Sequence, residues 1–235
     1  MCGRYSLSRP EKLAAMIAEM AALPLDFIPP PPRYNIAPTQ TVPAIVSADG
    51  ECKLTQLRWG LVPFWAREES AGFKMINARA ESLGARPAFK RLLAHRRCLV
   101  PADGFYEWRR AGKLKVPVRF ALADESLFAF AGLWDRWVRP DGGELETFTI
   151  ITTRANELIA PLHDRMPVIL SGRKHWTQWM GSGTEPDGWQ AMREPFPAAA
   201  MCAREVSPLL NSPTVDSVEC LAAPRPLDLQ LGLGL

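Results

Sequence analysis

The chain has 235 residues, 47% of them hydrophobic and 23% charged, with a formal net charge of +3. This composition allows a substantial core and fits one large domain, and no stretch approaches the roughly 20 apolar residues of a membrane span. Five widely spaced cysteines without a C-x-x-C pair, and three histidines without an H-x-x-x-H pair, argue against a disulfide framework and a metal site. We therefore expect a cytoplasmic protein that needs neither a metal nor a cofactor.

The net charge conceals an asymmetry along the chain. Residues 1–119 carry 19 Lys and Arg against 10 Asp and Glu, whereas residues 120–235 carry 9 against 15. A basic excess on one part of a nearly neutral protein suits a polyanionic partner such as nucleic acid, although ordinary solvated Lys and Arg would give the same composition.

The N-terminus places Cys2 directly after the initiator Met1. Removal of Met1 would leave a 1,2-aminothiol, whose amine condenses with an aldehyde to an imine and whose thiol then closes a thiazolidine ring. A free α-amino group has a pKa of about 7.7–8.0, so part of it is neutral near pH 7. The thiol could instead attack a carbonyl if a base activated it. Cys2 could also be an incidental residue of the terminus.

The next segments predict scaffolding. Ser8 to Glu11 reads as a capping box that opens a helix to about Ala22, and the four prolines at 29–32 indicate a stiff spacer. Residues 41–46 and 53–59 predict an antiparallel hairpin around the Asp49-Gly50 turn.

Two features follow that scaffolding does not require. The loop at residues 60–65 carries Trp65, whose ring either pins the loop to the core or offers a face for a nucleobase. Asn77 interrupts the alternating apolar and polar pattern of residues 75–81, where a strand disfavours Asn and a turn would accept it.

The middle of the chain predicts an amphipathic helix at residues 87–97 and a short buried strand at 98–101. Glu107 then lies between aromatic residues, where burial would raise the pKa of its carboxyl group and suit it to proton transfer. A salt bridge to a nearby Arg is the alternative interpretation.

Three further strands are predicted at residues 118–122, 128–134 and 147–152, followed by one or two helical turns at 152–159. His163 precedes a last apolar strand at 168–170 and is a candidate proton donor, or a structural histidine beside Asp164. Ser171 is expected to cap a further helix.

Six ordered motifs together resemble the SOS response-associated peptidase (SRAP) family. They are MCGRY (1–5), YNIAPT (34–39), WGLVP (59–63), NARAE (77–81), RCLVPADGFYEW (97–108) and HDRMP (163–167). The similarity runs from residue 2 to about residue 220. It implies an α+β fold with a mostly antiparallel, barrel-like β-sheet core and peripheral helices. We expect one domain over residues 1–222 and a flexible tail over 223–235.

The resemblance implies a sensor of abasic sites in single-stranded DNA, acting in the DNA damage response. It implies a covalent DNA-protein crosslink through Cys2, with autopeptidase removal of Met1 and a lyase-type activity. Asn77 would position Cys2 and the sugar, Glu107 would assist ring opening, and His163 would donate protons. The implied DNA-binding residues are Arg4, Asn35, Pro38, Trp65, Arg79, Thr152 and Thr153.

Two alternatives remain open from the sequence. The same Cys2, Glu107 and His163 suit an N-terminal-nucleophile peptidase, and the basic first half suits a noncovalent single-stranded DNA-binding module whose Cys2 is idle. In each case we expect a monomer, associated with the nucleoid if the source is bacterial.

Overall fold

A computed structural model describes residues 2–20, 27–48, 51–112, 114–181 and 188–224. The Asp49-Gly50 turn, the predicted helix end near Ala22 and the tail beyond residue 224 lie outside these residues. The described strands are β1 (Tyr5–Leu7), β2 (Arg33–Ile36), β3 (Thr41–Ala48), β4 (Glu51–Trp59), β5 (Asn77–Arg79), β6 (Arg97–Ala102), β7 (Gly104–Ala111), β8 (Leu114–Leu122), β9 (Phe128–Val138), β10 (Glu144–Arg154), β11 (Arg165–Pro167), β12 (Ile169–Leu170) and β13 (Met201–Glu205). The described helices are α1 (Leu13–Ala18), α2 (Pro87–His95), α3 (Gly172–Met180) and α4 (Trp189–Met192).

Five strands close into a barrel. Strand β3 pairs antiparallel with β4 and with β6, β6 pairs antiparallel with β9, and β9 pairs antiparallel with β10. A short parallel pairing of β10 with β4, at Thr147↔Arg58 and Phe148↔Trp59, completes the ring. Arg58 and Trp59, at the end of β4, are the residues through which that strand takes part in closure. The predicted hairpin of β3 and β4 is confirmed, and it supplies two adjacent barrel strands.

A second sheet covers the barrel, with strand order β13-β8-β7-β1-β2. Tyr5 of β1 joins the two layers, because its ring lies 5.3 Å from that of Trp59 and 5.5 Å from that of Phe130, both on barrel strands. Phe105 of β7 also contacts Phe130, at 6.2 Å between ring centroids. The aromatic contacts fix where β1, and therefore the N-terminus, lies on the barrel.

The predicted capping box at Ser8 is wrong. Ser8 makes no helix cap; its backbone N–H and hydroxyl donate to the buried carboxylate of Asp103 at 2.6 and 2.8 Å. Pro10–Lys12 forms a 3-10 turn, and α1 begins only at Leu13. The same carboxylate accepts from the Ser6 hydroxyl and from Arg119. A long-range partner therefore displaced the local cap that the sequence suggested.

The remaining elements follow the sequence with two differences. Helices α2 and α3 are confirmed, but Ser171 precedes α3 without a side-chain cap. The helical turn predicted at residues 152–159 begins later than expected: β10 continues through Arg154, and Asn156 then caps a turn in which the Ala160 N–H donates to the Asn156 carbonyl oxygen. In the described part of the chain no helix combines the length and apolar character needed to cross a membrane.

Candidate active site around Cys2

Cys2 is fully buried immediately before β1. Its carbonyl oxygen accepts a 2.9 Å hydrogen bond from Nδ2 of Asn77, and its Sγ lies 3.7 Å from the carbonyl oxygen of Arg4. Asn77 begins β5, which pairs with β10 beside Ile150. The Oδ1 atom of Asn77 is buried and accepts no hydrogen bond from the described residues. One carboxamide thus holds the Cys2 backbone and keeps an acceptor beside it.

Pairing of β1 with β7 brings Glu107 to Cys2. Tyr5 pairs with Phe105, and the Tyr106 N–H donates to the Arg4 carbonyl oxygen at 3.1 Å, so residues 107 and 2 lie at the same end of the pairing. Burial raises the pKa of the Cys2 thiol well above its ordinary value, and the charge of Glu107 raises it further. The buried thiol is therefore protonated at neutral pH.

Glu107 is itself buried, as the sequence predicted. Burial raises the pKa of the Glu107 carboxyl group, and a charge on His163 acts in the opposite direction. A carboxyl group whose pKa is raised in this way can take up and release a proton nearer neutral pH. His163 is thus close enough to act electrostatically on Glu107, although the two residues belong to different layers of the fold.

His163 lies in the turn between β10 and β11. Its Nδ1 is 2.9 Å from the backbone N of Arg165 and 3.0 Å from Oδ1 of Asp164. A backbone N–H can only donate, so Nδ1 accepts it and the ring proton of neutral His163 lies on Nε2. The Asp164 side chain is 80% exposed, so solvent competes for its contact with Nδ1 and the backbone N–H sets the ring orientation. The Nε2–H group is therefore the donor that His163 can present.

Three more of the predicted residues, Arg79, Thr152 and Thr153, lie at the end of β10. Arg79 of β5 pairs with Thr152 of β10, and its side chain is exposed. Thr152 is buried and its hydroxyl lies 3.4 Å from the Ala78 carbonyl oxygen, whereas Thr153 makes no side-chain hydrogen bond within the described residues. Adjacent strand residues face opposite sides, so these two threonines cannot share one contact.

Arg165 is a functional candidate that the sequence reasoning missed. Its guanidinium makes two 2.8 Å hydrogen bonds to Glu81 and a 2.6 Å bond to the Thr152 carbonyl oxygen. The bond to Arg165 lowers the pKa of the Glu81 carboxyl group. This pair holds β11, and with it the His163 turn, against the segment that follows Arg79. Its position in the HDRMP motif beside His163 was the available signal.

Arg4 and Asn35, both predicted to bind DNA, contact each other. The Arg4 Nη1 donates to Asn35 Oδ1 at 2.7 Å and to the Leu210 carbonyl oxygen at 2.8 Å. Its guanidinium carbon lies 5.9 Å from the centroid of the Trp108 ring. Partial burial lowers the pKa of Arg4 from its ordinary value. Asn35 is fully buried beneath Arg4 and does not reach the surface.

The predicted residues Pro38 and Trp65 lie on surface segments. Pro38 is half-buried in the turn after β2, and the Trp65 side chain is 60% exposed. Phe64 and Phe73 on the same stretch are exposed to 58% and 62%. Phe73 was not predicted, because an isolated aromatic residue gives no sequence signal of exposure. No contact joins these side chains directly to Cys2 within the described residues.

No group of three or more His, Cys, Asp or Glu side chains that could hold a metal occurs in the part of the chain that the structure describes. The geometry instead assembles four side chains with proton-transfer or positioning chemistry: Cys2, Asn77, Glu107 and His163. Fold and site together define a class of β-barrel protein in which a buried cysteine at position 2 lies beside a buried carboxyl group and a half-buried histidine.

The sequence model described as "SOS response associated peptidase (SRAP)" matches residues 1–213. The chain belongs to this family, which confirms the resemblance carried by the six motifs.

Several relatives are similar to this chain over most of its length. Abasic site processing protein YoaM of Bacillus subtilis (strain 168) is 44% identical over 229 residues, covering 95% of this chain and 98% of that protein. Abasic site processing protein YoqW of the same organism is 47% identical over 192 residues, covering 81% and 85%. Abasic site processing protein HMCES of Gallus gallus is 35% identical over 221 residues, covering 81% and 66%.

A solved crystal structure supports the fold. A protein from Bacteroides thetaiotaomicron superposes with a TM-score of 0.80 at 29% identity, covering 94% of this chain and 99% of that one. The predicted α+β class with a mostly antiparallel, barrel-like core is confirmed.

Proposed function

We propose that the protein senses abasic sites in single-stranded DNA and forms a covalent crosslink with them through Cys2 after Met1 is removed. The observation that carries this proposal is the burial of Cys2 against Asn77, with Glu107 and His163 close enough to act on the same site. The relatives are abasic site processing proteins by name, which supports the choice of lesion.

The proposed chemistry begins at the amine of Cys2. The lone pair of the α-amine attacks the aldehyde carbon of the opened sugar, and the resulting carbinolamine loses one water to give an imine. The thiol S–H then adds across the C=N bond, with sulfur on carbon and hydrogen on nitrogen, to close a thiazolidine. Because burial holds the thiol protonated, an amine-first order is favoured over attack by a thiolate.

Glu107 and His163 supply the proton transfers in this proposal. An abasic deoxyribose exists mainly as a closed hemiacetal, so a base must remove the hydroxyl proton while an acid protonates the ring oxygen. A carboxyl group with a raised pKa suits the first task, and His163 Nε2–H suits the second and the loss of water. Assistance of this kind contributes typically about 10² to 10⁴ in rate.

The DNA backbone is proposed to lie across Arg4 and Arg79, with exposed aromatic rings beside it. Arginine contacts to phosphate position a strand without reading its sequence, which fits a lesion that lacks a base. Trp65 and Phe73 offer faces on which neighbouring bases can stack, whereas the guanidinium of Arg91 lies 4.7 Å from the centroid of the Phe64 ring.

The N-terminal-nucleophile peptidase is the less supported alternative. Peptide hydrolysis would require Cys2 to attack as a thiolate, and both burial and Glu107 disfavour that state. Removal of Met1 by the same cluster stays a prediction.

The proposal is tested with an oligonucleotide carrying one abasic site. We expect wild-type protein to give an adduct that survives a denaturing gel, and Cys2→Ala to give none, because its amine forms only a hydrolysable imine. With borohydride present, Cys2→Ala should also give a stable adduct, because reduction converts the imine to an amine that does not hydrolyse. Cys202→Ser is the matched control and should behave as wild type, because Cys202 is exposed on β13.

Two results would overturn this proposal. One is the absence of any wild-type adduct, which is also what the noncovalent module predicts. The other is a denaturation-resistant adduct of Cys2→Ala at the wild-type yield without borohydride.

A further inference from the structure

The guanidinium of Arg4 is held in one orientation from a single side. Both Nη1 protons are used, one by Asn35 Oδ1 and the other by the Leu210 carbonyl oxygen. The Nε and Nη2 groups have no hydrogen-bond partner among the described residues. These two groups form the edge of a guanidinium that can bind an oxyanion with two parallel hydrogen bonds.

Asn35 connects this orientation to the C-terminal segment of the described chain. Its Nδ2 lies 3.3, 2.9 and 2.7 Å from the carbonyl oxygens of Leu210, Ser212 and Val215. Because the side chain of Asn35 is fully buried and its oxygen faces Arg4, the carboxamide cannot rotate without breaking these bonds.

Asp216 fixes the strand that carries Asn35. Its Oδ1 accepts the backbone N–H groups of Tyr34 and Asn35 at 2.6 and 2.9 Å, and its Oδ2 pairs with Arg33. Strand β2 is the edge strand of the second sheet, so these N–H groups face the 208–221 segment and not another strand. Asp216 lies beyond the residues that the family model matches.

We propose that Asn35 and Asp216 are positioning residues, which present the Nε and Nη2 edge of Arg4 to a phosphate of the bound strand. These contacts run from Asp216 to β2, from Asn35 to Arg4 and from Arg4 to the phosphate. The inference deepens the proposed function and rests on it. Asn35 acts on DNA through Arg4 and does not touch the strand. The stretch from Leu210 to Asp216, which supplies the carbonyl oxygens and the carboxylate of these contacts, is therefore a functional part of the binding site.

The test measures equilibrium binding to a single-stranded oligonucleotide that carries a tetrahydrofuran abasic analogue, which has no aldehyde and cannot crosslink. Asn35→Ser and Asp216→Ala are expected to weaken binding about tenfold, because one charge-assisted contact is misaligned. The plot of log K against log salt should become less steep by up to about 0.7, the share of one phosphate on a single strand.

A double-mutant comparison separates positioning from general damage. In an Arg4→Gln background, Asn35→Ser and Asp216→Ala should cause no further loss of affinity. Asp216→Asn should restore the wild-type salt slope, since its Oδ1 still accepts the Tyr34 and Asn35 N–H groups. Glu219→Gln, an exposed carboxylate on the same segment, is the matched control and should change neither quantity.

Folding is checked on each variant by thermal denaturation. If Asn35→Ser does not fold, the two variants of the half-buried Asp216, Asp216→Ala and Asp216→Asn, decide the question. Wild-type affinity and slope in folded Asp216→Ala would overturn the proposal, as would an equal loss with and without Arg4. Failure of the proposed function is seen separately, as a wild-type protein that gives no Cys2-dependent adduct with true abasic DNA.

Discussion

At the scale of single residues, Cys2 combines an unreactive thiol with a tightly held backbone. Its thiol is buried and protonated, which makes it a poor first nucleophile, yet its backbone is fixed by Asn77 next to an unused acceptor. The α-amine that removal of Met1 would create could donate an N–H to the Asn77 oxygen. In the proposed reaction this arrangement favours attack by nitrogen before attack by sulfur.

Glu107→Gln tests the proton-transfer role at this scale. The variant keeps the shape of the side chain but cannot ionise, so we expect crosslink formation to slow by about 10² or more. The measurement is the single-turnover rate of adduct formation on abasic single-stranded DNA. Glu157→Gln, an exposed carboxylate in the turn before His163, serves as the control and should leave the rate unchanged. An unaltered rate in Glu107→Gln would contradict the assigned role.

The same substitution should change how the stability of the protein depends on pH. The folded pKa of Glu107 is raised by burial, so its contribution is fully present below the unfolded pKa and is lost as pH rises through the folded value. Glu107→Gln removes this loss. The Tm of the variant relative to wild type should therefore increase as pH rises from about 4.3, the ordinary carboxyl pKa, towards neutrality. A difference that is flat or falls over this range would contradict the assignment.

At the scale of elements, the position of β1 depends on a buried polar cluster more than on local propensity. Asp103, at the junction of β6 and β7, is fully buried and accepts from Ser6, Ser8, Arg9 and Arg119. Arg119 is also buried and donates to the Asp103 backbone carbonyl. The cluster anchors the middle of β1 and the residues that follow it, and β1 in turn positions Cys2 and Arg4, which precede it.

Asp103→Ala should therefore be strongly destabilising. Several donors and the buried Arg119 charge would lose their partner, and we expect a loss of about 3–5 kcal/mol in the free energy of unfolding, measured by urea denaturation. Asp141→Ala, in the exposed β9–β10 turn, removes only a local bond to Gly143 and should cost far less. Equal costs for the two variants would show that the cluster does not anchor β1.

The elements were predictable where local pattern decides them. Alternation and turn residues predicted β3, β4, β6, β8 and β9, and the amphipathic spacing predicted α2. The failures at Ser8 and at residues 152–154 share one cause, since a distant partner, Asp103 in one case and the paired strand β11 in the other, overrode a local signal.

At the scale of the whole molecule, the barrel explains why distant motifs form one site. Strand β10 is the meeting point: it closes the barrel on β4 and pairs with β5, which carries Asn77 and Arg79, and with β11, which follows His163. The motifs predicted which residues belong to the candidate site. They did not predict that Asn35 lies buried under Arg4, because that contact depends on a segment far along the chain.

The charge distribution predicts how the molecule binds DNA. If Arg4 and Arg79 contact phosphates, affinity for single-stranded DNA should fall steeply with salt and vary little with base sequence. The measurement is fluorescence anisotropy on oligonucleotides of different sequence at several salt concentrations. Arg79→Gln should make the salt dependence less steep. Arg173 is an exposed residue of α3, and Arg173→Gln should leave the salt dependence unchanged. A strong sequence preference with little salt dependence would contradict this mode of binding.

The most direct test of crosslinking through Cys2 is the intact mass of the crosslinked species. We expect one adduct whose mass equals the chain without Met1 plus the abasic oligonucleotide minus one water, with Cys2 as the modified residue on peptide mapping. An adduct that forms in full yield on chains retaining Met1, or that maps to a residue other than Cys2, would contradict it.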